Sequence, residues 1–212
     1  MRGLTLDRLV SAYAHGIFPM AREREETRLY WVDPEQRGIL PLDSFHLPRR
    51  LARTLRQTSI EIRCDTAFDT VIQTCAAAAP DRPESWINAE IITLFSALHR
   101  LGLAHSVESW HEGKLVGGLY GLALGGAFFG ESMFSRATDA SKLALVHLVA
   151  RLRRGGFTLL DTQFITEHLR QFGAIEIPRA EYHHRLAAAL AHSAHFDSAA
   201  DWTAEAVLAT LC

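Results

Sequence analysis

Cysteine is scarce in this chain of 212 residues: Cys64, Cys75 and Cys212 are three, odd in number and far apart. That excludes a disulfide framework, and no pair has the spacing of zinc ligands. No run of about eighteen apolar residues occurs, so nothing is expected to span a membrane. Neither sign of charge dominates, since 22 Lys and Arg stand against 24 Asp and Glu. A nucleic-acid partner would therefore be held by a local basic patch. Common enzyme signatures are missing as well. There is no phosphate-cradling G-x-x-x-x-G-K-[ST] and no H-E-x-x-H, and Gly130-Glu131-Ser132-Met133-Phe134 lacks the second glycine of a nucleophile elbow. The 11 histidines form no ligand-spaced cluster, and His183-His184 read as a solvated helix face. Neither a metal nor a cofactor is expected.

What is present is a hydrophobic content of 48%, enough to bury a core in one sizeable domain with a small appendage. The first ten residues read as an amphipathic helix with Asp7 inside it rather than as an export signal, so a cytoplasmic location is expected. Residues 1–43 differ in character from the rest and read as a small leading domain. Leu6, Leu9, Val10 and Tyr13 fall at helical spacing, with Thr5 as N-cap and Gly16 as the stop. A charged stretch follows, then Tyr30-Trp31, then a short extended piece between Pro34 and Pro41.

Residues 44–212 read as a regular α/β unit. Pro48 suits the start of a helix that carries Arg49, Arg50, Arg53 and Arg56 without an acidic neighbour. Ser59 to Arg63 alternates as a short strand. Phe68, Val71, Ile72 and Cys75 form one helical face, and Ile91, Leu94, Phe95 and Leu98 form a second, ended by Gly102; residues 76–85 make the loop between them. A three-stranded meander follows over 104–134, with Gly125-Gly126 as a hairpin turn. Asp139 is the expected N-cap of a helix whose core face is Leu145, Leu148, Val149 and Leu152. A buried strand (157–164), a helix near Glu167 to Phe172, a strand at AIEIP and a last long alanine-rich helix complete the chain. This order is that of the α/β (α+β) acyltransferase fold typified by the GNAT-type N-acetyltransferases, and fold alone names no substrate.

Enzymes of that fold that use coenzyme A hold its pyrophosphate in a glycine-containing loop at a helix N-terminus. The corresponding segment here, residues 132–142, has no glycine, which speaks against a coenzyme A donor. Asp161 and Gln163 lie two apart on one strand and so share a face. A carboxylate inside FTLLDTQF is costly unless something pairs with it. Glu131 or Asp161 could equally be a structural acceptor for a neighbouring turn.

The strings AYAHGIFPM (12–20), HSVESWHEGKLVGGLYGLALGGAFFGESMFSRATDASKLAL (105–145), LLDTQF (159–164) and HLRQFGAIEIPRAEY (168–182) together resemble the leucyl/phenylalanyl-tRNA–protein transferase family. The likeness runs from about Leu6 to about Leu190. It implies an enzyme that moves Leu, Phe or Met from aminoacyl-tRNA to proteins beginning with Arg or Lys, for the bacterial N-end-rule degradation pathway. Neither ATP nor a metal is needed, because the tRNA ester is already activated.

By resemblance, Asp161 and Gln163 match the family's D-x-Q pair, with Asp161 either only orienting the acceptor amine or also deprotonating it, and Glu131 matches the glutamate of GESMFS on the acceptor side. Trp86, Tyr30 and Trp31 resemble the platform for the terminal adenosine of tRNA. Leu119, Phe128, Leu145, Leu148 and Leu160 resemble the walls of the aminoacyl pocket. Arg49, Arg50, Arg53 and Arg56 would bind tRNA phosphates. The plainer readings are core packing for the pocket residues and Trp86, and a solvated face for the arginines. Departures fall in the leading domain: Met20 stands where a tryptophan is common, and YWVDPEQR replaces W-W-S-P-D-P-R. A monomer is expected. The rival readings are an acetyl-CoA-dependent N-acetyltransferase and a non-catalytic tRNA-binding adaptor.

Overall fold

The computed structural model describes residues 4–26, 28–78, 84–199 and 202–211. The chain opens with α1 (Leu6–Ala14), followed by β1 (Phe18–Met20) and β2 (Tyr30–Val32), which pair antiparallel as a two-stranded sheet. Next come β3 (Gln36–Ile39), α2 (Arg49–Gln57), β4 (Glu61–Cys64), α3 (Phe68–Ala76) and α4 (Ala89–Arg100). The meander is β5 (Ala104–His111), β6 (Lys114–Leu124) and β7 (Ala127–Ser135). It leads to α5 (Ala140–Arg154), β8 (Leu159–Gln163), α6 (Glu167–Arg170), β9 (Ile175–Pro178), α7 (Arg179–Leu190) and α8 (Ala204–Leu211).

Local chemistry sets these boundaries. Thr5 caps α1 by accepting from the Arg8 N–H, and Asn88 caps α4 by accepting from the Ile91 N–H at 2.9 Å. Gly16 and Gly102 adopt φ values of +78° and +73° just past those helices, where a left-handed residue ends the turn. The loop expected over 76–85 lies partly outside the described residues, and Ala76 itself closes α3.

Seven strands form one sheet in the order β4-β5-β6-β7-β8-β3-β9, antiparallel throughout except for the parallel pair β7–β8. One face carries a core built with α2, α5 and α8, including Leu119, Phe128, Leu148 and Leu160. The other carries a core built with α1, α3, α4 and α7, including Phe95, Tyr120 and Phe129.

Three features differ from the sequence reading. The extended piece between Pro34 and Pro41 is β3, and it is hydrogen-bonded between β8 and β9 inside the main sheet, ahead of residue 44. The alanine-rich tail is two helices, and α8 packs on α5 together with α2. That cover explains why α5 is buried on nearly every side from Ala140 to Leu152 rather than along one stripe. Asp139 stands at the cap position but makes no capping bond. Its carboxylate is taken by Arg50 and Lys142, and the Ser135 hydroxyl accepts the Ser141 N–H instead.

Candidate active site

The site begins where the parallel pair separates. β7 and β8 share only three register positions, Ala127 with Leu159, Phe128 with Leu160 and Phe129 with Asp161. Beyond these both strands continue without pairing to each other, and a cleft of about 680 Å³ opens at the divergence. Its apolar wall is Leu119, Leu145, Leu148, Leu160 and Leu169, from the core beneath α5. The opposite side is Phe18, Met20, Trp86 and Tyr120, from or against the other core. The cleft is thus lined from both faces of the sheet.

A β-bulge delivers the acid. Gly121 faces Gly130 and Tyr120 faces Ser132, so Glu131 is the extra residue on β7. A Cβ on Gly121 would collide with the Phe129 carbonyl oxygen, so only glycine lets the strands approach this closely. Glu131 is 9% exposed, lines the cleft, and its Oε1 has no hydrogen-bond partner among the described residues. Burial, reinforced by the nearby Asp161, pushes its pKa up to about 8, against the opposing influences of the Tyr13 hydroxyl and Arg37. Tyr13 Oη has no hydrogen-bond partner among the described residues either. Burial, and then Glu131, holds the Tyr13 phenol well above its usual range, so it stays protonated.

Gln163 ends β8 with φ +57°, a left-handed backbone that costs a non-glycine residue on the order of 1–3 kcal/mol. Its N–H donates to Asp161 Oδ1 at 2.8 Å, and its side-chain Nε2 lies in the cleft wall without a partner among the described residues. Thr162 Oγ1 and His168 Nε2, from the same wall, are likewise unpartnered among the described residues. Burial, with the Lys142 ammonium second, lowers the His168 pKa and favours the neutral imidazole. Four orphan polar atoms therefore gather around one opening, where most buried polar groups of a folded protein would be paired.

Asp161 sits one layer behind. It is fully buried and does not line the cleft. Arg37 Nε and Nη2 donate to its two oxygens at 2.9 and 2.6 Å, and the Tyr182 hydroxyl donates to Oδ2 at 2.7 Å. With the Gln163 N–H, this carboxylate accepts four bonds.

The family profile described as leucyl/phenylalanyl-tRNA protein transferase matches residues 39–187, and that of the family's N-terminal domain matches residues 2–35. A leucyl/phenylalanyl-tRNA–protein transferase of Paramagnetospirillum magneticum is 70% identical over 93% of this chain and 94% of its own. One from Caulobacter vibrioides is 62% identical over 91% of this chain and 88% of its own, and one from Rhodospirillum rubrum is 59% identical over 90% and 89%. The chain belongs to the leucyl/phenylalanyl-tRNA–protein transferase family.

Of the residues that the resemblance to the transferase family singles out, Trp86, Leu119, Glu131, Leu145, Leu148, Leu160 and Gln163 meet in the cleft. Phe128 does not. It is fully buried on the α5 face against Phe157 and Phe196, because strand alternation points it away from Glu131 and into the core. Tyr30 lines a shallower pocket of about 450 Å³, which shares Met20 and Trp86 with the cleft. Trp31 is 47% exposed on β2, outside both. Arg49, Arg50, Arg53 and Arg56 are all exposed on α2, and Arg50 is paired with Asp139 at 2.9 Å, just before α5. His183 meets Asp33 at 3.2 Å and His184 is exposed. Sequence reasoning missed Tyr13, Arg37, His168 and Tyr182. The buried carboxylate of β8 did signal a missing cation, without saying which. No helix among the described residues is long and apolar enough to cross a membrane.

Proposed function

We propose that the cleft joins the carboxyl group of leucine, phenylalanine or methionine, delivered as an aminoacyl-tRNA ester, to the α-amino group of a protein beginning with Arg or Lys. The observation that carries this reading is the pairing of an apolar hollow with unpartnered polar atoms at its rim. The four leucines at 119, 145, 148 and 160 suit an unbranched-Cβ apolar side chain. The Gln163 amide and Glu131 suit an amine and the carbonyl it attacks.

In the reaction the amine nitrogen bonds to the ester carbonyl, the bond to the tRNA ribose oxygen breaks, and a proton passes from nitrogen to that oxygen. A free α-amino group has a pKa near about 7.7–8.0, so a useful fraction is neutral at pH 7 and positioning is the main task. Glu131 then serves the cationic first residue of the acceptor. Protonated while the site is empty, it ionises as an ammonium or guanidinium arrives, since an opposite charge favours the carboxylate. Asp161 has no oxygen left for the amine and acts through Gln163.

On the donor side, Trp86 with the neighbouring Tyr30 suits the terminal adenosine, where base–aromatic stacking contributes about 1–3 kcal/mol. Trp31, exposed next to Tyr30 on β2, is available to the same nucleotide, and the α2 arginines suit the acceptor-stem phosphates. We further infer an acetyltransferase-like sheet from the β7–β8 divergence, and a leading unit ending near residue 35, where the two family profiles meet. A cytoplasmic monomer serving N-end-rule degradation completes the reading.

The test is incubation with Leu-tRNA and an Arg-initiated peptide, followed by mass spectrometry, with an Ala-initiated peptide as control. Addition of one leucine to the Arg peptide alone is expected. Equal addition to both peptides would remove the role given to Glu131, and saturable binding of acetyl-CoA by calorimetry would favour the acetyltransferase rival.

A further inference from the structure

Arg37 lies on β3, between β8 and β9, and is 1% exposed. Every part of its guanidinium is engaged. Nε and Nη2 grip the Asp161 carboxylate, and Nη1 donates to the Gly16 carbonyl at 2.8 Å, at the end of α1. The planar group lies between the rings of Phe18 and Tyr182, whose centroids are 4.5 and 4.4 Å away. The carboxylate so held accepts the Gln163 N–H in the left-handed turn that aims Gln163 at the cleft.

We propose that Arg37 is a positioning residue for the transfer reaction: through Asp161 it fixes the backbone of Gln163, and Tyr182 assists at the second carboxylate oxygen. The proposal rests on the functional reading above. The chain of contacts runs guanidinium, carboxylate, backbone N–H, amide side chain, and each link is within 2.9 Å up to the Gln163 N–H. A carboxylate tethered at one oxygen only could swing. The bidentate grip, together with the Tyr182 bond, removes that freedom and leaves Oδ1 pointed at residue 163. A lysine could keep the charge but could not supply two parallel bonds and the third to Gly16. Because that third bond reaches α1, the grip also registers the leading segment, which carries Phe18 and Met20, against the strand that carries Gln163.

The experiment compares wild type, Arg37→Lys and Tyr182→Phe in two ways. One is steady-state leucyl transfer per folded enzyme, at a temperature where all three are native. The other is the backbone amide resonance of Gln163 with its hydrogen-exchange rate. For Arg37→Lys we expect kcat down ten-fold or more, with the KM for Leu-tRNA within two-fold and Gln163 exchange at least ten-fold faster. For Tyr182→Phe, which keeps the ring under the guanidinium, both effects should be present but smaller. A fall in kcat without any change at the Gln163 amide overturns the proposal, as does an unchanged kcat. If Arg37→Lys fails to fold, Tyr182→Phe decides by the same two readings. A Gln163 amide that loosens as expected in a protein whose wild type transfers no leucine sinks the functional reading instead, and leaves the coupling itself standing.

Discussion

Glu131 holds a proton that an ordinary glutamate would have lost, and this has a measurable sign. Its pKa rises from 4.5 in the unfolded chain to about 8 in the folded protein. Between those values the folded state binds the proton and the unfolded state does not, so its contribution to stability falls as pH rises through the window. The slope is at most about 1.4 kcal/mol per pH unit. In Glu131→Gln this term vanishes. Urea unfolding at pH 5, 6.5 and 8 should show the variant gaining on wild type as pH rises, and a constant difference would contradict the assignment. Binding an Arg-initiated peptide at pH 7 should also release a proton, seen as a buffer-dependent heat in calorimetry. At this scale the sequence was half legible. A carboxylate in a buried strand demanded a partner, but Arg37 lies 124 residues away along the chain and no spacing names it. Nor does anything local announce a glutamine in a left-handed turn.

At the scale of elements, the helices before α8 were legible because their apolar residues recur at helical spacing, and the β5–β7 meander because short turns join its strands. Placing β3 between β8 and β9 was not, since it depends on pairings distant in sequence. Two glycines near the cleft make opposite predictions from this geometry. A Cβ on Gly38 would stand 2.8 Å from the Phe164 carbonyl carbon and 3.1 Å from the Ile165 nitrogen, which is backbone that cannot yield cheaply. Gly38→Ala should displace the segment after Gln163, cutting kcat ten-fold or more and lowering the thermal midpoint. A Cβ on Gly130 would meet only the Asp161 oxygen at 3.5 Å and Leu160 Cδ1 at 3.9 Å, both ordinary contacts. Gly130→Ala should therefore melt as wild type does while altering KM by narrowing the cleft. On α2, replacing the exposed Arg49 and Arg53 with Gln should raise the KM for aminoacyl-tRNA several-fold and flatten its salt dependence, with turnover at saturation preserved. An unchanged salt slope would remove the helix from the tRNA surface.

For the whole molecule, the concealed side of α5 matters most. Its periodicity suggested one buried stripe, yet α2 and α8 cover the rest, so α8 belongs to the core. Leu208→Ala should cost about 2–3 kcal/mol in equilibrium unfolding while leaving the KM for both substrates unchanged. The parallel pairing of β7 and β8 has a further consequence. Both strands pass their last shared rung travelling in the same direction, one toward α5 and the other toward α6. Met133 and Gln163 in the chamber wall are therefore downstream of the β7–β8 rungs and are paired only outward, to Leu119 on β6 and Gly38 on β3. Donor preference could be redrawn at Leu145 and Leu148, by evolution or by an engineer, since α5 takes part in no inter-strand pairing of the scaffold.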